Sequence, residues 1–237
     1  TDSPPDKMKK VLAAKKRGVR VLVIDQMRSQ MAKLADEWIG IRPGTDGALA
    51  LSLMHVIVNE ELYDVEFVRE WTTGFEELRD YVQKFSPQKV EGITRVPSET
   101  IMKLARSISK ARGASLLMYT GLEYSNCGVQ SIRAVLCLWA ISGNLDVPGG
   151  LVFRPRSPAK FPRIRLEPPK GVKPIGADRY PYFCDVLKSA QFMEAPKAIL
   201  QGDPYPVKTL LVFGASLLTN LPNPDLWKQC FKQLDFM

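Results

Sequence analysis

The chain has 237 residues, of which 45% are hydrophobic and 24% charged, enough to bury the core of one large domain or two modest ones. Its formal net charge is +8, but the positive excess is concentrated at 7–20 and 154–173, as on a solvated surface or an anion site, so we predict no nucleic-acid binding. No apolar stretch is long enough to cross a bilayer, so membrane insertion is not favoured. The four cysteines lie far apart and there is one histidine, so neither a metal site nor a disulfide framework is favoured.

The first elements in chain order are a predicted basic helix at 7–16 and a strand at 19–24. The strand is continuously apolar and rich in β-branched residues, which is typical of a parallel strand buried on both faces. A second helix at 30–37 and a second short strand at 38–41 follow. After a Pro-Gly turn, the helix at 47–59 is apolar nearly all round, so we expect it at the centre of the fold.

Amphipathic helices are predicted from 64 to 111, with Asp64 capping the first of them. A strand at 115–119 then breaks at Gly121, and a helix at 128–142 follows. The proline-rich, basic stretch at 151–180 suits neither regular helix nor strand.

The last predicted elements are a helix at 182–193, a strand at 209–213 and a helix at 225–234. A strand, a glycine or acid turn and a helix thus recur three times along the chain. The pattern predicts an α/β fold with a doubly wound, mainly parallel, Rossmann-like sheet flanked by helices. We place a nucleotide-binding domain at 1–150, a proline-rich basic arm at 151–180 and the beginning of a second similar lobe at 181–237.

Three predicted strands end at Asp25, Gly121 and Gly214. Ligands of open parallel sheets bind at the carboxyl ends of strands, where a carboxylate such as Asp25 or Asp46 can hold a ribose or a guanine. Each of these residues could instead have an ordinary structural role: Asp25 as a solvated acid at a strand end, Gly121 and Gly214 as turn glycines, and Asp46 as a helix N-cap. The chain has no GxGxxG fingerprint, so ordinary NAD or FAD binding is not favoured.

An ordered series of motifs in this sequence resembles the molybdopterin oxidoreductase family, which is the dimethyl sulfoxide reductase superfamily. In chain order the motifs are Val-Leu-Val-Ile-Asp (21–25), Ala-Lys-Leu-Ala-Asp-Glu-Trp (32–38), Ile-Arg-Pro-Gly-Thr-Asp-Gly-Ala-Leu (41–49), Gly-Asn with Pro-Gly-Gly (143–150) and Val-Phe-Gly-Ala-Ser (212–216). The spacing of Pro-Tyr-Pro (204–206) before the last motif is similar to that of the thiosulfate and polysulfide reductase branch.

The resemblance implies a bis-molybdopterin guanine dinucleotide cofactor carrying molybdenum or tungsten. Asp46 would bind one guanine, Asp25 would lie near its guanosine, and Pro43 and Gly44 would shape that pocket. The remaining implied contacts are Arg28 and Ser29 after the first strand, Gly121, Asn144 and Gly149 along the cofactor, and Gly214 and Ser216 in the pocket for the second half.

The sequence departs from the family pattern at two of these motifs. The family commonly has Asp-Pro-Arg after the first strand, whereas Gln26 and Met27 follow Asp25 here. Its last motif usually continues to Asn-Pro, where this chain has Ser216 and Leu217. We therefore expect the polar contacts to the nucleotide to differ from the family's more than the fold does.

The resemblance also implies an iron–sulfur cluster and a metal ligand in the parent enzyme, both of which we expect upstream of Thr1. The chain is thus interpreted as an internal, catalytically inactive fragment whose partners are the rest of the parent polypeptide and an iron–sulfur electron-transfer subunit. Two alternatives remain open: a nucleotide-binding domain of another α/β enzyme, and a non-enzymatic interaction module that uses the basic stretch at 154–173. The cellular compartment is left open.

Overall fold

The computed structural model describes residues 5–153 and 170–237, and the chain divides into two compact units, Thr1–Arg156 and Ser157–Met237. The first unit contains the strands β1 (Leu22–Asp25) and β2 (Glu37–Gly40). Its helices are α1 (Pro5–Lys16), α2 (Gln30–Leu34), α3 (Asp46–Asn59), α4 (Val65–Trp71), α5 (Phe75–Val82), α6 (Pro87–Thr94), α7 (Ser98–Ser109), α8 (Thr120–Glu123) and α9 (Gly128–Ile141). The second unit holds α10 (Pro181–Leu187), a 3₁₀ turn (Phe192–Glu194), α11 (Ala195–Gln201), α12 (Leu217–Asn220) and α13 (Pro224–Gln233).

The sheet of the first unit is a parallel pair, β1 beside β2, in a register that joins Leu22 to Glu37 and Asp25 to Gly40. The mainly parallel arrangement predicted for the sheet is confirmed for these two strands, with bounds shifted by one to three residues. The predicted burial of the first strand on both faces is wrong, because no residue of β1 is buried and Ile24 is 41% exposed. Asp36 leaves the predicted second helix because its carboxylate accepts the backbone N–H of Val21 at 2.8 Å. The fold is therefore a helix-rich α/β fold with a small parallel sheet, and the wider Rossmann-like sheet stays a prediction.

Two predicted strands are not strands within the described residues. The segment at 114–119 has no regular secondary structure, and side chains rather than a neighbouring strand hold its start. The N–H of Ala114 donates to Asn144 Oδ1 at 2.6 Å, and its carbonyl accepts the Trp139 indole N–H at 2.7 Å. At 209–213 only an isolated parallel bridge joins Thr209 to Phe236. Both segments have the apolar composition of a strand, but in the part of the chain that the structure describes no strand lies beside either of them to complete a ladder.

Helix α3 forms the centre of the first unit, as predicted. Eight of its 14 residues are buried, and it packs against α5, α6, α7 and α9. The core it builds also includes Val82, Val90, Ile101 and Leu138, each at most 2% exposed. Neighbours on nearly every side explain why its sequence is apolar all round.

The amphipathic helices predicted from 64 to 111 are confirmed as α4 to α7, and so is the cap at Asp64. The carboxylate of Asp64 accepts the N–H of Phe67 at 2.9 Å and caps α4. Ser86 caps α6 in the same way, with Pro87 in its first turn, where a missing N–H costs nothing. These caps are local devices, which is why the sequence alone predicts them.

The second unit has a small core of Ala195, Trp227 and Cys230. Trp227 is fully buried and stacks on Phe192, with ring centroids 5.1 Å apart. The predicted helix at 182–193 is too long: α10 ends where Lys188 takes a left-handed φ of 54°, and a new helix begins near Pro196. Residues 154–169 of the predicted arm lie outside the described residues.

Candidate functional site

The carboxyl ends of β1 and β2 lie at one edge of the sheet, because the strands are parallel and Asp25 pairs with Gly40. From Gly40 the chain needs only five more residues, 41–45, to begin α3 at Asp46. Asp25 and Asp46 are thereby brought close enough for the charge of Asp25 to raise the pKa of Asp46. This edge is where parallel sheets place their ligands.

The Pro-Gly segment before α3 is a tight turn, as predicted. The N–H of Thr45 donates to the carbonyl of Arg42 at 3.3 Å, and Gly44 has a left-handed φ of 76°. Proline followed by a left-handed glycine is the pattern of a type II turn. Arg42 is tied to the core because its own N–H donates to Thr94 O at 2.9 Å. Pro43 and Gly44 are exposed, and no atom lies within 4 Å of the place a Gly44 Cβ would occupy.

Asp46 is the first residue of α3, and Thr45 occupies the N-cap position without a side-chain capping bond. The alternative that Asp46 is the N-cap is therefore wrong. Burial raises the pKa of the Asp46 carboxyl above its ordinary value, its own backbone N–H opposes this, and the charge of Asp25 adds to the increase. A carboxylate that is half removed from water gains from an N–H donor on a ligand.

The turn after β1 carries the next predicted contacts. Asp25 Oδ1 accepts the N–H of Met27 at 3.1 Å, and the indole N–H of Trp38 donates to the Asp25 carbonyl at 3.0 Å. Arg28 is exposed and lies over the Trp38 ring, 5.9 Å from its centroid. Ser29 accepts the N–H of Ala32 at 3.3 Å and caps α2, so its hydroxyl has a structural role.

Helix α9 contributes residues that the sequence did not point to. Cys127 Sγ lies 4.0 Å from Gly44 O and 3.5 Å from Ser131 Oγ. A Cβ added to Gly47 would lie 2.8 Å from Ser131 Oγ, so α3 and α9 approach closely just after Asp46. In the sequence, Gly47 and Ser131 are small residues that permit a close approach of two helices, but neither residue indicates which helix the other lies on.

Asn144 and Gly149 have structural roles in this unit. Asn144 is fully buried: besides accepting from Ala114, its amide donates to Ile108 O at 3.1 Å and to Ser142 O at 3.2 Å. Gly149 has a φ of 82° in a turn that packs on Gly113, whose Cβ position is 2.4 Å from a backbone oxygen of that turn. Contact of this segment with a ligand stays a prediction, and the Asn144 amide is already satisfied within the chain.

Three further predicted residues lie elsewhere. Gly121 is not at the end of a strand but in the short helix α8, exposed and with open space at its Cβ position. Gly214 and Ser216 belong to the second unit. Gly214 has a φ of 65° and open space around it, and Ser216 precedes α12 without a side-chain capping bond.

The basic residues near the amino ends of the strands are largely paired with acids. A groove of about 410 Å³ is lined by Arg20, Lys103 and Arg106, among others. Arg20 contacts Glu37 at 2.6 Å, and Arg106 contacts Glu60 at 2.7 Å. The Arg106–Glu60 hydrogen bond also lowers the pKa of Glu60. This surface is therefore a partly neutralised, solvated one.

The described residues contain no group of three or more His, Cys, Asp or Glu side chains that could hold a metal ion. All four cysteines are free thiols, and only Cys127 is exposed. Within the same described ranges, no helix has the length and apolar character needed to span a membrane. The edge formed by Asp25, Arg28, Gly44 and Asp46 is suited to binding a ligand through carboxylates, a guanidinium and a turn.

Comparison with known proteins gives the family context for this edge. The family model described as molybdopterin oxidoreductase matches residues 3–220. The chain is 32% identical over 217 residues to probable oxidoreductase YoaE of Bacillus subtilis, covering 91% of this chain and 30% of that protein. It is 31% identical over 143 residues to the thiosulfate reductase molybdopterin-containing subunit PhsA of Salmonella typhimurium, covering 60% of this chain and 19% of that protein.

The structure of acetylene hydratase from Pelobacter acetylenicus superposes with a TM-score of 0.78 at 28% identity, covering 97% of this chain and 35% of that chain. The chain thus spans about a third of the length of the YoaE protein and of this structure. YoaE and PhsA match at nearly the same identity, so no single branch is favoured by these comparisons.

Proposed function

The chain belongs to the molybdopterin oxidoreductase family, and we propose that it binds the guanosine end of a bis-molybdopterin guanine dinucleotide in a molybdenum- or tungsten-dependent oxidoreductase. The observation that carries this proposal is the placement of Asp25 at the carboxyl end of β1 and of Asp46 at the start of α3, which begins soon after β2 ends at the same edge of the sheet. Two carboxylates beside an open glycine turn suit a guanosine, which presents N–H donors on its base and hydroxyls on its ribose.

The residues at this edge fit such a ligand by their chemistry. Asp46, half-buried and at the start of α3, would accept the N1–H and amino group of guanine. Asp25 would accept a ribose hydroxyl, and the exposed Pro43–Gly44 turn would leave room for the nucleoside. Arg28 would supply a cation for phosphate, while Ser29 supports the turn as the cap of α2.

The other assignments extend the same proposal along the chain. Residues 1–150 would form the half-site for one guanosine, with Gly121, Asn144 and Gly149 near the cofactor. Gly214 and Ser216, within 181–237, would begin the pocket for the second half, and 151–180 would form an arm between these parts.

The parent enzyme would transfer two electrons together with an oxygen or sulfur atom. When bound, the metal–pterin group supplies that redox chemistry, and the residues of this chain bind and orient it. We propose that an iron–sulfur cluster lies elsewhere in the parent polypeptide and that an iron–sulfur subunit delivers electrons. The isolated chain would then have no turnover of its own, which an assay for reductase activity with a reduced dye tests directly.

Guanine recognition can be tested on the chain itself by isothermal titration calorimetry with GDP and ADP. We expect GDP to bind more tightly than ADP, and Asp46→Asn to reduce GDP affinity about tenfold or more, since hydrogen bonds to charged groups contribute about 1.5–3 kcal/mol. Asp80→Asn, at an exposed position on α5, is the matched control and should change nothing.

Other outcomes would favour the competing interpretations. Equal binding of ADP and GDP would indicate a generic nucleotide-binding domain of another α/β enzyme. Binding of heparin that weakens steeply with salt, with no preference among nucleotides, would indicate a basic interaction module. Either result would refute the guanine assignment.

A further inference from the structure

Trp38 connects three parts of the candidate site at once. It lies on β2, and its indole N–H donates to the carbonyl of Asp25 across the strand pair at 3.0 Å. Arg28 lies over its ring, 5.9 Å from the centroid. The six-membered ring lies beside Gly40, where an added Cβ would be 3.3 Å from the nearest ring carbon. The missing side chain at Gly40 therefore gives the indole the space it occupies.

The turn from Asp25 to Ser29 depends on such support. It contains Gln26 and Met27 and no proline, so no proline ring stiffens it. Within the turn, Met27 donates to Asp25 Oδ1 at 3.1 Å and Ser29 donates to Met27 O at 2.8 Å. Trp38 adds the bond that ties this local turn to the neighbouring strand.

Arg28 is held in a way that leaves its hydrogen-bonding edge free. Among the described residues no carboxylate lies within ion-pair distance of its guanidinium, unlike Arg20 and Arg106, which both have acidic partners. A guanidinium stacked on an aromatic face keeps its N–H groups available for bidentate contact with an oxyanion. An exposed arginine that lies over the Trp38 ring, three residues after Asp25, thus suits a phosphate group attached to the same nucleoside.

We propose that Trp38 is a positioning residue that holds Arg28 for the diphosphate of the guanine nucleotide. This inference rests on the proposed function, because it assumes that a guanosine occupies the adjoining edge. It adds a residue outside the predicted contacts and assigns the phosphate, rather than the base, to the Trp38–Arg28 pair.

The test compares GDP with guanosine on the full chain by calorimetry. Trp38→Leu should weaken GDP binding about fivefold, or about 1 kcal/mol, as expected for an exposed cation–π contact, while guanosine binding changes less than about twofold. Arg28→Gln should weaken GDP at least as much. Trp38→Phe keeps an aromatic face and should retain most of the preference for GDP. Trp71→Leu, at an exposed tryptophan on α4, is the control and should have no effect.

A double-mutant cycle decides whether Trp38 acts through Arg28. If it does, adding Trp38→Leu to Arg28→Gln costs little further GDP affinity. Additive losses, or equal losses for GDP and guanosine, would overturn the proposal, since they indicate a general structural role. The ratio of GDP to ADP affinity separates the two proposals: it should survive Trp38→Leu and be lost in Asp46→Asn. A wild-type chain that binds no GDP would refute the proposed function and this inference with it.

Discussion

Replacing Asn144 by alanine should destabilise the first unit strongly, although its position in the sequence suggested a cofactor contact. The side chain is fully buried, its oxygen accepts from Ala114, and its nitrogen donates to Ile108 and Ser142. Alanine leaves these backbone groups without partners in the interior. An unsatisfied buried group costs about 1–3 kcal/mol, and local rearrangement recovers part of this, so we expect a loss of about 3 kcal/mol.

Urea unfolding followed by far-UV circular dichroism measures this loss. The midpoint should fall with little change in slope, because the surface exposed on unfolding is nearly the same. In a thermal scan the same loss corresponds to roughly 6–12 °C for a unit of this size. Asn126→Ala, at an exposed position before α9, is the matched control and should stay within about 0.5 kcal/mol of wild type. A loss below about 1 kcal/mol for Asn144→Ala would refute the structural role and return the residue to the ligand-contact hypothesis.

Three further comparisons of variants test the geometry around the site and the packing of the first unit. Burial raises the pKa of Asp46, so ionisation of its carboxyl opposes folding. Asp46→Asn should therefore be as stable as the wild type below the ordinary carboxyl pKa of 3.8 and more stable than the wild type at neutral pH. Variant and wild type of equal stability at both pH values would contradict this expectation. Gly47→Ala should destabilise the chain by forcing Ser131 aside, and Ser131→Gly should restore part of the loss. Gly113→Ala should lower the free energy of unfolding by at least about 2 kcal/mol, because φ at this position is 89° and the new Cβ would clash with backbone atoms. Gly121→Ala should be neutral or slightly stabilising, because its Cβ position is open. Similar effects for the two variants would contradict the packing argument. Thermal unfolding at pH 3 and pH 7 measures the first, and urea titration the others.

The expected gain in stability from Asp46→Asn has a functional counterpart. The same substitution should abolish the preference for GDP, so the residue that would recognise the base also costs the folded chain stability at neutral pH. Stability given up at a binding site for the sake of function is a common compromise. A stabilised variant that still prefers GDP would separate the two effects and remove Asp46 from base recognition.

The features of the fold that the sequence predicted correctly are those that local sequence patterns determine. The strand character of the two apolar runs, the Pro-Gly turn, the apolar pattern of the central helix and the cap at Asp64 each depend on residues within a few positions of one another. Strand propensity, turn conformation and helix capping are set by such short-range chemistry, whereas the exposure of β1 was not predicted. The same holds for the motif containing Asp25 and for that containing Asp46, which carried the family resemblance.

Long-range contacts decided the rest. Whether the apolar run at 115–119 joins a sheet depends on which strand lies beside it. Here the backbone N–H and carbonyl of Ala114, just before the run, bond instead to Asn144 and Trp139, which are 25–30 residues away. The support that Trp38 gives to Asp25 and the close approach of Gly47 to Ser131 likewise join distant positions. A sequence pattern specifies the face or turn a residue prefers, but the partner that satisfies its polar groups is chosen only when packing brings separate elements together.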